Sequence, residues 1–136
     1  MGFNFTKINV ERIGGSGANI KVNTTMDISD ITKADIDFLK VKEEVLVVKF
    51  KYGIDFEPKF AKIEFEGNII ISLDQKQAKN TLKEWKDKKV PDEIKLFAFS
   101  IILRKANVKA LQIEDEMNLP FHIPMPKISR ESNEKN

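Results

Sequence analysis

Residues 46–56 read LVVKFKYGIDF, and this stretch decides the fold class. One set of alternate positions is apolar: Leu46, Val48, Phe50, Tyr52, Ile54 and Phe56. The positions between them include Lys49, Lys51 and Asp55. A period of two residues is typical of a β-strand with one face in the core and the other in water. Pro58 ends the strand, because proline cannot donate to the hydrogen-bond ladder of a sheet.

The same alternation continues on both sides of this strand. Residues 61–73 and residues 20–28 each place apolar side chains at every second position. Residues 3–13 also alternate, but the phase changes at Lys7-Ile8, which indicates a β-bulge or a strand that serves two partners. We expect Phe3 and Phe5 on one face of this strand and Ile8 and Val10 on the other. We interpret residues 29–37 as a polar connection, and short links of this kind indicate a four-stranded antiparallel sheet.

Helical spacing replaces the strand period after residue 73. Asp74 and Gln77 resemble a capping box, and Leu82 and Trp85 lie at helical spacing. Pro91 ends this helix and starts another, which we expect to run to about residue 116. Apolar residues surround nearly the whole circumference of its first half: Ile94, Leu96, Phe97, Ala98, Phe99, Ile101, Ile102 and Leu103. One sheet face covers only one side, so another helix, the C-terminal segment or another subunit must cover the rest.

A proline-rich stretch, NLPFHIPMP at residues 118–126, follows the second helix, and we call it the exit segment. Its prolines force an extended path, and its apolar side chains indicate that it lies along the protein surface. We treat residues 1–128 as a single domain. Residues 129–136 form a polar tail that we expect to be disordered.

Composition excludes several classes of protein. The net charge is only +2, from 23 basic and 21 acidic residues, so we expect no nucleic-acid partner. The absence of cysteine excludes disulfides and Cys-ligated zinc, and it fits a reducing cytoplasm. The first residues lack a signal-peptide pattern, and the apolar run at residues 96–103 is too short to span a bilayer. We therefore expect a cytoplasmic protein without membrane insertion.

The chain offers little that could carry chemistry. Residues 14–17 are glycine-rich but no Lys-Ser/Thr pair follows, so they are read as a strand connection and not as a phosphate loop. His122 is the only histidine, and a catalytic triad or zinc site needs partners that the sequence does not reveal. Glu64 and Glu66 share a strand face with Lys62, which indicates a solvated surface rather than a glycosidase pair. We expect no enzyme, no cofactor and no metal.

Five stretches, in this order, resemble the export chaperone SecB: FNFTKI at 3–8, LVVKFKY at 46–52, FEGNII at 65–70, residues 91–110, and NLPF at 118–121. The resemblance implies an α+β fold with a four-stranded antiparallel sheet followed by two helices, assembling as a dimer of dimers. It implies a cytoplasmic holdase that binds unfolded polypeptide clients and could serve protein export. The alternative is a SecB-fold interaction module dedicated to one protein partner, such as an antitoxin-type client.

The resemblance also implies functional surfaces. We expect client-binding groove walls from eight apolar residues: Phe3, Phe5, Val10, Ile20, Val22, Phe121, Ile123 and Met125. The first helix would lie at the interface of the homotetramer through Leu82 and Trp85. Two departures argue against docking to a translocation motor. The chain is near neutral where the family is strongly acidic, and residues 129–136 lack the Cys and His of the family's zinc-carrying tail.

Overall fold

A computed structural model describes residues 2–14, 19–34 and 43–124. Four strands precede two helices: β1 (Gly2–Arg12), β2 (Lys21–Lys33), β3 (Glu43–Glu57), β4 (Ala61–Asp74), α1 (Gln75–Trp85) and α2 (Asp92–Glu116). The sheet has the order β1-β4-β3-β2, and each neighbouring pair is antiparallel. The expected sheet and helices are therefore confirmed. The division at residue 128 stays a prediction, because residues 125–136 lie outside the described residues.

One face of the sheet forms the core, and β3 lies at its centre. The six apolar positions that alternate along residues 46–56 are each at most 2% exposed. Their polar neighbours Lys49 and Lys51 are exposed on the opposite face. α2 contributes Ile102, Ala106 and Ala110 to the core, all of them fully buried. The small alanine side chains let this helix approach the sheet closely.

β1 contains the β-bulge that the sequence indicates, between Phe5 and Lys7. The prediction that Ile8 and Val10, beyond the bulge, lie on the opposite face from Phe3 and Phe5 is wrong. Phe5 lies opposite Gly67, Ile8 opposite Phe65, and the next alternate pair continues this register along β4. Alternate residues of β4 share a face, so Phe5 and Ile8 point the same way, and so does Val10. The extra residue of the bulge shifts the alternation by one position, so the apolar residues after the bulge lie on the same face as Phe5.

β2 is longer than the sequence pattern suggests. The polar connection expected from Ser29 is wrong as far as Lys33, where β2 ends. A second register shift, between Ile28 and Asp30, returns Ile31 to the core face opposite Val48. Ile31 is 3% exposed, and its burial explains why the strand continues through a polar stretch. The rest of the expected connection, residues 35–37, lies outside the described residues.

Both helices begin where the sequence predicts. The Asp74 carboxylate accepts a hydrogen bond from the backbone N–H of Gln77 at 2.7 Å, which caps α1. α2 begins directly after Pro91 and carries two acidic residues in its first turn. Four apolar side chains on α2 are more than 40% exposed: Leu96, Phe97, Leu103 and Val108. Within the described part of a single chain, part of this apolar helix surface is left uncovered.

Phe50 packs closely on Gly67, so a larger residue at position 67 should lower the stability of the protein. A Cβ atom on Gly67 would meet the backbone oxygen of Asn4 and lie 2.6 Å from Phe50 Cζ. Phe50 also stacks on Phe3 and is 1% exposed, so its ring has little room to move. We expect Gly67→Ala to lower the free energy of unfolding by about 2 kcal/mol in urea denaturation.

Gly2→Ala is the matched control, because its Cβ would make only an ordinary contact, 3.6 Å from Ile70. We expect it to change the free energy of unfolding by less than about 0.5 kcal/mol. Equal stabilities for the two variants would contradict the tight approach at Gly67.

Candidate functional site

An open groove of about 450 Å³ lies at the end of the sheet that carries the β3–β4 turn, and we call it the exit groove. The end of β1, the turn and the exit segment form its walls through Arg12, Phe60, Leu119, Pro120 and Phe121. Phe60 and Leu119 are buried, at 4% and 6% exposure. They form an apolar floor under the more exposed walls.

Arg12 fixes the position of these walls. Its guanidinium carbon lies 5.3 Å from the centroid of the Phe60 ring, a cation–π contact. Its Nη1 donates to the backbone oxygen of Met117, 3.2 Å away, just beyond the end of α2. The backbone N–H groups of Ile13 and Gly14 donate to the oxygen of Phe60 at 2.8 and 3.0 Å. The end of β1 is thereby tied to both the turn and α2.

Apolar side chains of β1, of the residue that follows it and of the exit segment are exposed. Phe121 is 41% exposed on the groove wall, and Ile13 is 59% exposed directly after β1. Ile8, on the same edge strand, is 45% exposed. Together they supply apolar surface along an edge strand, where a second chain could bury its own side chains. Ile8 and Ile13 are not among the predicted groove residues, because alternation along a strand does not reveal how exposed a side chain is.

The other predicted groove residues that the structure describes do not line the exit groove. Phe3 stacks on Phe50 with ring centroids 5.3 Å apart, and Phe5 lies 5.2 Å from Phe65, so both belong to a half-buried aromatic cluster. Ile123 is also half-buried. A client-binding role for these residues stays a prediction, and Met125 lies outside the described residues.

Val10, Ile20 and Val22 are half-buried and pack against the core. Val10 lies on β1, two residues before the groove residue Arg12, whereas Val22 lies on the opposite edge of the sheet, across from Phe56. The predicted set is therefore spread over two edges, and of its members Phe121 lines the exit groove. Their role in binding stays a prediction.

The two residues predicted at the oligomer interface also make contacts within the chain. Leu82 and Trp85 are half-buried and pack against the core. The indole Nε1 of Trp85 donates to Asp30 Oδ1 at 3.1 Å, and Lys88 Nζ lies 4.7 Å from the ring centroid. Their partly exposed surfaces leave the predicted interface open to test.

A buried polar cluster lies behind the exit groove. The side chains of Glu114 and His122 are 0% and 2% exposed, and Nδ1 of the imidazole lies 2.8 Å from Oε2 of the carboxylate. The Tyr52 hydroxyl donates to Asn107 Oδ1 at 2.8 Å and lies 3.3 Å from His122 Nε2. Burial, and secondly the charge of Glu114, raise the pKa of Tyr52, so its phenol stays neutral. The cluster joins β3, α2 and the exit segment.

The fold is that of a SecB-like chaperone. The structure is similar to the SecB-like chaperone Rv1957 of Mycobacterium tuberculosis, which was solved in complex with a ChAD peptide from the HigA1 antitoxin Rv1956. The TM-score is 0.50 at 11% sequence identity, and the alignment covers 96% of this chain and 89% of that chain. No family model matches the chain, and no curated protein matches it significantly. Neither helix in the described ranges is long and apolar enough to cross a membrane.

Proposed function

We propose that the protein is a molecular chaperone of the holdase type, which binds non-native polypeptides and prevents their aggregation. The observation that carries this proposal is the exit groove, an open groove with an apolar floor that is bordered by an edge strand on a SecB-like fold. Unfolded chains are the proposed partners, and the cytoplasm is the proposed location. No catalytic step and no cofactor is part of the proposal.

The exit groove suits a client without a fixed sequence. An unfolded chain offers apolar side chains, and burying them contributes about 25 cal/mol for each Å² removed from water. Phe121, Ile8 and Ile13 present such surface. β1 is an edge strand of the sheet formed by the described residues, so backbone groups on its outer side can pair with a client backbone whatever the client's sequence.

The proposal includes a homotetramer built as a dimer of dimers. The exposed apolar residues of α2 and the partly exposed Leu82 and Trp85 are the surfaces that support self-association. Several copies would hold one client at several weak sites, which raises the overall affinity through avidity. Docking to a translocation motor and service in protein export are not part of the proposal.

A second candidate function is a module dedicated to one protein partner, such as an antitoxin-type client. It is favoured by the antitoxin peptide bound to the structurally similar Rv1957. The two candidates differ in selectivity. A holdase binds several unrelated unfolded chains, whereas a dedicated module binds its one protein partner and does not bind unrelated unfolded chains.

Light scattering of aggregating clients tests the holdase function. We expect the protein to suppress aggregation of several unrelated, chemically unfolded clients at near-stoichiometric amounts. Phe121→Ser should weaken suppression several-fold, because it removes exposed apolar surface from the groove wall. Its thermal stability should stay near that of the wild type, since a side chain already 41% exposed contributes little to the core.

Ile70→Ser is the control, because Ile70 is 39% exposed on β4, close to the exposure of Phe121, and lies neither in the exit groove nor on α2. It should leave suppression unchanged. If the wild type fails to protect any of the unrelated clients, the general holdase is wrong and the dedicated module replaces it.

Sedimentation equilibrium tests the proposed assembly. We expect a mass of four protomers of 15.6 kDa. Leu96→Asp should lower this mass, because a charge placed in an apolar interface without a partner costs several kcal/mol. Leu96 is preferred to Trp85 for this test because it is 72% exposed in the single chain, whereas Trp85 also bonds to Asp30.

Gln112→Asp is the control on the same helix, at an exposed polar position. It should leave the mass unchanged. A wild-type mass of one protomer would overturn the assembly.

A further inference from the structure

One buried carboxylate holds the exit segment against α2. The side chains of Glu114 and His122 are 0% and 2% exposed. The backbone N–H of His122 donates to Glu114 Oε1 at 3.1 Å, and Nδ1 of the same residue lies 2.8 Å from Oε2. An imidazole that carries its proton on Nδ1 makes this contact as a neutral ring, so the arrangement does not depend on the charge of the ring. Glu114 therefore binds both the backbone and the side chain of one residue of the segment.

His122 makes every hydrogen bond that joins residues 120–124 to the rest of the described chain. Its Nε2 lies 2.9 Å from Asn107 Oδ1 and 3.3 Å from the Tyr52 hydroxyl, so α2 and β3 both contact the ring. The prolines at positions 120 and 124 have no backbone N–H to donate. The position of this part of the exit segment thus depends on the polar contacts of one residue.

Phe121 lies between two buried side chains, those of Leu119 and His122. Leu119 is 6% exposed and the His122 side chain is 2% exposed, whereas Phe121 is 41% exposed on the wall of the exit groove. Pro120 restricts the backbone between Leu119 and Phe121, because its ring fixes the φ angle. Since both neighbours are held, the backbone of Phe121 is held as well, and its ring stays at the groove wall.

We propose that Glu114 and His122 are positioning residues for client binding, which hold Phe121 at the groove wall without contacting the client themselves. Both side chains are too buried to contact a client, so they act through Phe121. This inference rests on the proposed function, because it names residues that act on the same groove. The attachment of the segment to α2 can be tested in the free protein.

The positioning matters because a wall that is ordered before binding needs no ordering when the client arrives. An exit segment released from Glu114 would sample many conformations, and a client would have to restrict them before Phe121 could pack against it. Preorganised sites bind more tightly for this reason. The affinity lost on release cannot exceed what Phe121 itself contributes, because Glu114 acts through that ring.

Substitutions of Glu114 separate hydrogen bonding from charge. Glu114→Leu keeps a side chain of similar volume but offers no acceptor to His122. Glu114→Gln keeps an acceptor for the backbone N–H, and its amide group can donate to Nδ1 of a neutral ring whose proton lies on Nε2. Glu116→Gln is the matched control for the lost carboxylate, because Glu116 is exposed two residues further along α2.

Amide hydrogen exchange in the free protein tests the attachment. We expect Glu114→Leu to speed exchange of the His122 backbone N–H at least about tenfold, while the centre of β3 stays protected. Glu114→Gln should restore slow exchange, and Glu116→Gln should not alter it. Slow exchange of this N–H in folded Glu114→Leu would overturn the attachment.

The wild type supplies a measurement that needs no variant to fold. The His122 N–H should exchange more slowly than those of Phe121 and Ile123, which have no hydrogen-bond partner within the described chain. Equal exchange rates for the three groups, after correction for intrinsic rates, would overturn the attachment.

A double-mutant cycle tests whether the attachment acts through Phe121. The probe is reduced and carboxymethylated lactalbumin, which stays unfolded in buffer. We expect Phe121→Ser to raise the dissociation constant about tenfold and Glu114→Leu to raise it at least about threefold, with Glu114→Gln restoring most of that loss. Glu114→Leu added to Phe121→Ser should have no further effect, because the ring that Glu114 positions is gone.

The cycle separates positioning from a general contribution to stability. Additive losses in the double variant would overturn the positioning role, because a residue that only stabilises the fold acts with or without Phe121. Should Glu114→Leu not fold, the same cycle with His122→Ala decides. Absence of binding by the wild type would overturn the proposed function and the positioning role together. Wild-type binding with an unchanged affinity in Glu114→Leu would overturn the positioning role alone.

Discussion

The apolar face of β3 and β4 has to be covered, and the way in which the chain covers it determines what stays exposed. α2 supplies the main cover with small residues that allow close approach, such as Ala106 and Ala110. The helix ends at Glu116, beside the β3–β4 turn, so the exit segment must complete the cover with Leu119 and His122. The groove arises at this junction, where regular helix packing gives way to an extended segment.

The same constraint explains why the structure offers apolar surface in two places. A helix whose apolar residues surround its circumference can turn only one side to a sheet, and Leu96 and Phe97 are left on the other. A bulged edge strand whose apolar residues continue past the covered region leaves Ile8 and Ile13 exposed. The first surface suits a flat contact with a second copy, and the second suits an extended chain. The proposed function assigns these two roles to these two surfaces.

Most of the fold could be predicted because its signals are local. Alternation along residues 46–56 defines β3, and the side chains of Asp74 and Pro91 define the starts of the helices. The errors occur at the two bulges, where one extra residue changes the phase and a local pattern assigns the wrong face or ends the strand early. The polar residues Ser29 and Asp30 are typical of a turn, and the local pattern does not reveal that Ile31 is buried.

The candidate site was less predictable because its contacts are not local. Tyr52 and His122 are 70 residues apart in the chain, and neither has a neighbour in sequence that points to the other. The exposed apolar residue of the exit segment, Phe121, could be selected because three prolines prevent the segment from joining a helix or a sheet. Exposure of Ile8 and Ile13 depends on where α2 lies across the sheet, and alternation alone does not fix that position.

Amide hydrogen exchange with and without a permanently unfolded client tests the central claim most directly, because it locates the binding surface on the intact protein. We expect client-dependent protection at the end of β1, the β3–β4 turn and residues 119–124, with little change at the centre of β3, where side chains are already buried. Protection confined to the polar face of the sheet, or none at saturating client, would contradict the assignment of the exit groove as the site of client binding.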